Sequence, residues 1–267
     1  MTSKVIIGLT TTPIRLNLIE PTILSLLAQT KIPDEIVLTI PKVSARFNTI
    51  YEIKNAALLK LIECKRVILN EIEHDYGPAT KFVGLLLRNY SPNDVLIWVD
   101  DDILYSNKLV ETLTNCLYRC SKINHPRIAI GFSGFNFNKN GQWVKVKKHL
   151  KRVEIIEGFC GVATFKLNMP TVSRFEKYGL RPQTHASLQT IHKFEKAQFL
   201  SDDFTISDYF KQNEILTLVC YYKECNFDNC IEILDLGNKT DALHNQPAPK
   251  PTDGNTYNYN LLRGFYN

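Results

Sequence analysis

The sequence has no C-x-x-C pair, no G-x-x-x-x-G-K phosphate loop, no dense basic stripe, and no apolar run near the ~20 residues that a membrane-spanning helix needs. Each absence removes a class. The seven cysteines are odd in number, so neither a disulfide framework nor a common zinc pattern is expected. Cys116 and Cys120, four apart on an expected helix, and the evenly spaced Cys220, Cys225 and Cys230 read first as reduced thiols in a cytoplasmic setting, with a zinc site as the minor reading. The missing phosphate loop removes support from a nucleotidyl- or phosphotransferase of that kind. A net charge of +5 is too mild to imply nucleic acid and suits an anionic substrate or surface. The first nine residues are too short a stretch for a leader or anchor, so a soluble chain is expected, with peripheral membrane contact open. No internal repeat is visible.

What the chain does have is a five-residue apolar, β-prone run at 95–99, preceded by Pro92-Asn93-Asp94 and followed at once by Asp100, Asp101 and Asp102. The run is too short for an ordinary helix and reads as a strand buried on both faces. In an open α/β sheet, ligands are received beyond the carboxyl ends of the strands. Carboxylates clustered there repel one another and are best kept ionised by a hard divalent cation, Mg2+ or Mn2+, which takes oxygen donors and shares them with substrate phosphates. The ligand class implied is a phosphate ester. A plainer reading, three aspartates closing a strand in a solvated turn, stands beside it.

Along the chain, residues 4–9 and 35–40 read as strands around a helix at 16–29 that Pro21 would make start late. Helices at 49–63 and 80–88 flank a third strand at 66–69. Four alternating βα units in the first hundred residues predict a Rossmann-like N-terminal half. A helix at 107–120 and a strand at 127–131 follow. Beyond 131 the texture changes to short β-prone pieces at 142–146, 153–156 and 162–165, expected to form a smaller mixed sheet with a hairpin turn at 138–141. Residues 201–213 read as a helix with Ser201 as its N-cap, and 215–221 and 231–234 as strands. The tail at 246–267, with three prolines, reads as irregular.

Taken in order, certain stretches resemble the GT-A class of nucleotide-sugar glycosyltransferases, near its family 2-like members. They are Thr10 and Arg15 after the first strand, the Asp-Tyr-Gly-Pro-Ala-Thr-Lys segment at 75–81, the aspartate triplet, the Gly-Phe-Cys-Gly stretch at 158–161, Ser201-Asp202-Asp203, and Leu243-His244-Asn245. The resemblance covers about residues 4–245. It implies an α/β, GT-A-like single domain over 1–245, with a nucleotide-binding half (1–102) and an acceptor-binding half (103–245), and a central mostly parallel sheet plus a smaller mixed β-sheet. It further implies a metal-dependent transferase moving a sugar from a nucleotide diphosphate sugar, foremost a UDP-sugar, to a hydroxyl of a glycan, lipid-linked or protein acceptor with inversion. Thr10, Thr11, Arg15, Asp75, Lys81, Asp100 and Asp101 would then hold the nucleotide sugar, Asp100 towards the ribose. Asp102 and His244 would bind Mn2+ or Mg2+. Asp203 or Asp202 would take the acceptor proton, and Gly158, Phe159 and Gly161 would frame the acceptor.

Several of these residues carry ordinary readings too. Acidic residues in a first helical turn complement the helix dipole, which lowers their pKa and makes a poorer base unless burial or a second carboxylate raises it again. Asp208 on the same helix is the fallback base. Arg15 and Lys81 read also as surface cations, and 158–161 as a tight turn between strands. Trp143 and Phe159 suit sugar stacking or a core, and Trp98 a core. The basic run Lys145, Lys147, Lys148, Lys151 and Arg152 reads first as a solvated face and secondly as a dock for an anionic acceptor. Tyr257, Tyr259, Phe265 and Tyr266 in the tail suit an acceptor-site cover, self-association or disorder. The competing function is a non-catalytic nucleotide- or carbohydrate-binding protein of the same fold. Oligomeric state is not legible.

Overall fold

The computed structural model describes residues 3–124, 126–221, 231–233 and 262. In chain order the first part contains β1 (Val5–Leu9), α1 (Glu20–Leu27), β2 (Glu35–Pro41), β3 (Val43–Ser44), β4 (Thr49–Ile50), α2 (Ala56–Glu63), β5 (Ile68–Ile72), α3 (Thr80–Leu86) and β6 (Val95–Trp98). The second part contains β7 (Ile103–Tyr105), α4 (Leu109–Asn124), β8 (Ile128–Phe137), β9 (Trp143–Lys145), β10 (Lys151–Arg152), β11 (Ile155–Phe165), α5 (Val172–Lys177), α6 (His185–Thr190), α7 (Lys193–Leu200), α8 (Asp202–Gln212), β12 (Leu216–Val219) and β13 (Ile231–Ile233).

One sheet runs in the order β10-β12-β8-β11-β6-β1-β2-β5, with β9 paired to the end of β8. β5, β2, β1, β6, β8 and β12 point the same way, and β9, β10 and β11 oppose them. The fold is therefore α/β with a central, mostly parallel sheet, joined by the short antiparallel pairs β3–β4 and β7–β13. Strands covered on both faces need apolar residues at every position, and β1 and β6 are buried throughout. Val5, Ile7 and Leu9 pack under α1, α2 and α4, while Ile6 turns to the face covered by α3, α5 and α8. Trp98 is a core residue on that second face, edge-on to Phe82.

Helix α3 sits unusually deep, with every residue buried. Two glycines allow this. A Cβ on Gly84 would fall 1.9 Å from Thr39 Oγ1 in β2, and one on Gly8 in β1 would fall 2.8 Å from the Lys81 carbonyl. The close seat carries Lys81 to the carboxyl edge of the sheet.

Three expectations need correction. The helix read at 49–63 is only α2, because Thr49–Ile50 pairs as β4 and Asn55 caps the helix by accepting from Leu58 N–H. The pieces at 153–156 and 162–165 do not start a separate sheet. They are the ends of the single strand β11, which lies between β6 and β8 in the main sheet, with its register shifted between Glu157 and Val162. The 158–161 stretch is that irregularity and not a turn between strands. Ser201 does occupy the N-cap position of α8, but its hydroxyl makes no capping bond. The hairpin turn expected at 138–141 joins β8 to β9 as anticipated.

Candidate functional site

β1 and β6 are parallel neighbours, Gly8 opposite Trp98, so the chain leaves both at the same edge. Residues 10–15 thereby come against 100–102 at the mouth of a cavity of about 380 Å³, a size typical of small-molecule sites. Thr10, Thr11, Arg15, Asp75, Lys81, all three motif aspartates, Phe159, Asp202 and Asp203 line it. These residues lie up to 193 positions apart in the sequence, and the fold gathers them.

The three adjacent aspartates have different surroundings. Asp101 points inward: Thr11 Oγ1 donates to it at 2.5 Å and Arg15 Nη1 at 3.0 Å, and its side chain is 10% exposed. Burial pushes its carboxyl up to about 6, Arg15 pulling back and the charge of Asp102 adding to the rise. Asp100 and Asp102, with side chains 34% and 28% exposed, face the cavity. Arg15 Nη1 reaches Asp102 Oδ2 at 3.0 Å, and burial followed by the charge of Asp100 raises the Asp102 pKa.

Lys81 is no surface cation. Its side chain is 3% exposed, and its ammonium lies 2.7 Å from Asp100 Oδ1 and 3.0 Å from Asp202 Oδ2. Burial disfavours its charge, but Asp100, Asp202 and Asp203 outweigh that and raise its pKa. Asp203 accepts a 2.9 Å bond from Gly158 N–H. Burial, then Asp202, push its carboxyl well above the ordinary range against the pull of Lys81. Asp75 is also raised by burial, although the Ala45 and Gly77 amides each donate to it at 2.7 Å.

Gly158 and Gly161 are not on the cavity wall. Gly158 sits where a Cβ would come within 3.1 Å of Trp98 and 3.3 Å of Asp203 Oδ1, and Gly161, at φ +96°, faces Leu109 and Leu113. Only Phe159 of that stretch lines the cavity. His244 lies outside the described residues, as do Cys225, Cys230 and the aromatic tail.

Three contributors escaped the sequence reading. Tyr105 Oη accepts from Asp100 N–H at 2.9 Å and donates to the Phe159 carbonyl at 2.8 Å, which ties the motif to β11. Tyr51 donates to the Thr11 carbonyl at 3.1 Å. Glu157, on the cavity wall, accepts from Ser133 at 2.7 Å and pairs with Lys145, whose ammonium stands 5.2 Å from the Phe159 ring centre. An acid directly before the glycine pair at 158–161 was the available signal for Glu157. Nothing in the spacing marks either tyrosine.

The wall carries seven carboxylates, from Asp75, Asp100, Asp101, Asp102, Glu157, Asp202 and Asp203, against the three cations Arg15, Arg46 and Lys81, an excess of four. Solved nucleotide-using transferases align with parts of the chain. Glucosyl-3-phosphoglycerate synthase from Mycobacterium tuberculosis, in complex with Mn2+, UDP and glucosyl-3-phosphoglycerate, is 11% identical over 48% of this chain and 43% of its own, with a TM-score of 0.33. The same enzyme with Mn2+, UDP-glucose and phosphoglyceric acid aligns over 61% and 56%, at 11% identity and a TM-score of 0.37. The 4-diphosphocytidyl-2C-methyl-D-erythritol synthase from Anaerococcus prevotii is 13% identical over 82% and 87%, with a TM-score of 0.43. The chain thus spans about half the length of the synthase from M. tuberculosis. No family model and no curated protein matches the sequence. Among the described residues no helix is long and apolar enough to cross a membrane.

Proposed function

We propose that the cavity is the donor site of a metal-dependent glycosyltransferase that takes a sugar from a nucleotide diphosphate sugar, a UDP-sugar foremost, and passes it with inversion to an acceptor hydroxyl of a glycan, glycolipid or protein. The observation that carries this reading is the excess of carboxylates where two parallel strands end. A diphosphate meets repulsion there unless a dication enters with it. The donor set fits Mg2+ or Mn2+: Asp100 and Asp102 offer oxygens to the cavity, and such ions take one or two carboxylates and complete their shell with phosphate and water. His244 is the further ligand proposed from the sequence. A bound dication supplies the charge that the leaving diphosphate requires.

The chain's own residues do the rest. Arg15 and Thr11 hold Asp101 and so fix the motif backbone, and Lys81 fixes Asp100 relative to Asp202. Asp203, tethered by Gly158 N–H and raised in pKa, would receive the acceptor proton as the hydroxyl attacks the anomeric carbon and the nucleoside diphosphate departs. Asp202, committed to Lys81, is the positioning partner. Phe159 and the Lys145–Glu157 pair form the acceptor side.

The test is thermal unfolding with a panel of nucleotide sugars, with and without Mn2+, followed by detection of released nucleotide. The expected result is a rise in Tm that needs both cation and donor, with turnover. A flat response to every donor overturns the reading. One observation favours a second function: Arg15 and Lys81 already neutralise motif carboxylates from within, an arrangement that a non-catalytic nucleotide- or carbohydrate-binding protein would also keep. Binding without turnover of any donor selects it.

A further inference from the structure

We infer that a second, chemically distinct cation site, of the kind Zn2+ fills, is formed by Cys116, His149 and Cys220 at the carboxyl end of β12, none of them lining the carboxylate cavity. The inference is independent of the donor-site reading. Sequence spacing had grouped Cys116 with Cys120 and Cys220 with its later neighbours. The fold instead joins one member of each group to a histidine from a third segment. Among the described residues this is the one group of three histidine, cysteine or acidic side chains whose ligand atoms all lie within 4.8 Å of one another.

Each residue is placed by independent structure. Cys116 comes from the middle of α4, which packs across β8 and β11. Cys220 directly follows β12, and its N–H donates to the Gly131 carbonyl of β8 at 2.7 Å, which fixes it at the strand's carboxyl end. His149 precedes Leu150, whose N–H donates to Val219 at 2.7 Å, so its turn is pinned one residue from Cys220. Convergence of three segments that are separately held is what a preorganised ligand set requires.

The chemistry narrows the occupant. Two sulfurs and an imidazole are soft and borderline donors, suited to Zn2+ and poorly suited to the Mg2+ or Mn2+ that an oxygen-lined cavity takes. In tetrahedral zinc sites, with Zn–S near 2.3 Å and Zn–N near 2.0–2.1 Å, neighbouring donor atoms stand about 3.5–3.8 Å apart. The two sulfurs here are 2.9 Å apart, so closing on an ion asks them to part by about 1 Å or less. Two thiolates neutralise the dication, which suits a place where Cys220 is buried and Cys116 and His149 are partly so. Three donors leave one tetrahedral position for water or another ligand. The ion would bridge α4, the carboxyl end of β12 and the turn into β10.

The experiment uses the full-length chain, reduced and stripped of metal, titrated with Co2+ alone and then Zn2+ alone. The expected result is one equivalent of Co2+ with an intense thiolate-to-cobalt charge-transfer absorption, displaced by Zn2+. Cobalt held by oxygens alone gives no such band. Cys116→Ser and Cys220→Ser are expected to abolish it. His149→Gln, in a partly exposed turn and so safe for folding, is expected to weaken affinity at least ~10-fold, since even an outer-shell change costs that much. The inference is overturned by the absence of a thiolate band, by a band that survives unchanged in both Cys220→Ser and His149→Gln, or by a Cys116–Cys220 disulfide in the native protein that takes up no metal after reduction.

Discussion

A carboxyl group buried beside another carboxylate keeps its proton to higher pH than one in water, and Asp203 is so placed. In the proposed role of base it would work only when ionised, so activity should rise with pH along a limb lying well above the ordinary carboxylate range, read from kcat against pH. Asp203→Asn is expected to lower kcat by about 10²–10⁴-fold while leaving donor KM nearly unchanged. Lys81 makes the complementary case. Lys81→Met leaves Asp100 and Asp202 facing each other without their shared cation, at a cost of about 3–5 kcal/mol in urea unfolding. At this scale the place of the aspartate triplet was legible, since an apolar run of five residues marks a buried strand and the acids must leave its carboxyl end. Which of them turns inward was not, because the chain bends at Asp101 and Asp102 and the contacts of Thr11 and Arg15 from the first loop select Asp101. Nor was the burial of Lys81, because it depends on how deeply α3 sits.

That depth belongs to the element scale and rests on glycine. Gly84→Ala would drive a Cβ into Thr39 and lift α3 from β2, and about 1–3 kcal/mol of stability should be lost by chemical denaturation. Thr39→Ala in the same chain is expected to restore part of it, the non-additivity marking a shared contact. The order of the opening βα units was readable from hydrophobic period, although the helix at 49–63 was drawn too long, and the late start of α1 at Glu20 was readable from Pro21 in its first turn. The second half was misread where one strand carries an irregularity. β11 is a single strand interrupted in register, and a local pattern of two glycines around Phe159 and Cys160 looks the same whether the chain turns back or continues. Only the long-range pairing with β6 and β8 distinguishes the two, and no local window contains it.

For the whole molecule, counted as formal charges, a net +5 together with an excess of four carboxylates at the cavity leaves +9 on the remainder. An anionic donor of the proposed kind would therefore be drawn to the protein at long range and repelled at the mouth until a dication is present. With Mn2+ supplied, the association rate of a nucleoside diphosphate should fall as salt is raised while its dissociation rate stays nearly constant, measured by stopped flow. Without the cation, affinity should be weaker by roughly tenfold or more, the effect of about 1.4 kcal/mol of unrelieved repulsion. None of this partition was visible in a composition that is close to neutral overall. It appears only when residues up to 193 positions apart are assembled around one cavity.

One phenol links the two sides of that cavity. Through its hydroxyl, Tyr105 is fastened both to the backbone of Asp100 and to that of Phe159. If these are the donor and acceptor walls of the proposed site, a substrate that orders one would be expected to order the other through this shared hydroxyl. Linkage of this kind works equally in both directions, so order of addition would be a matter of speed and not of final affinity.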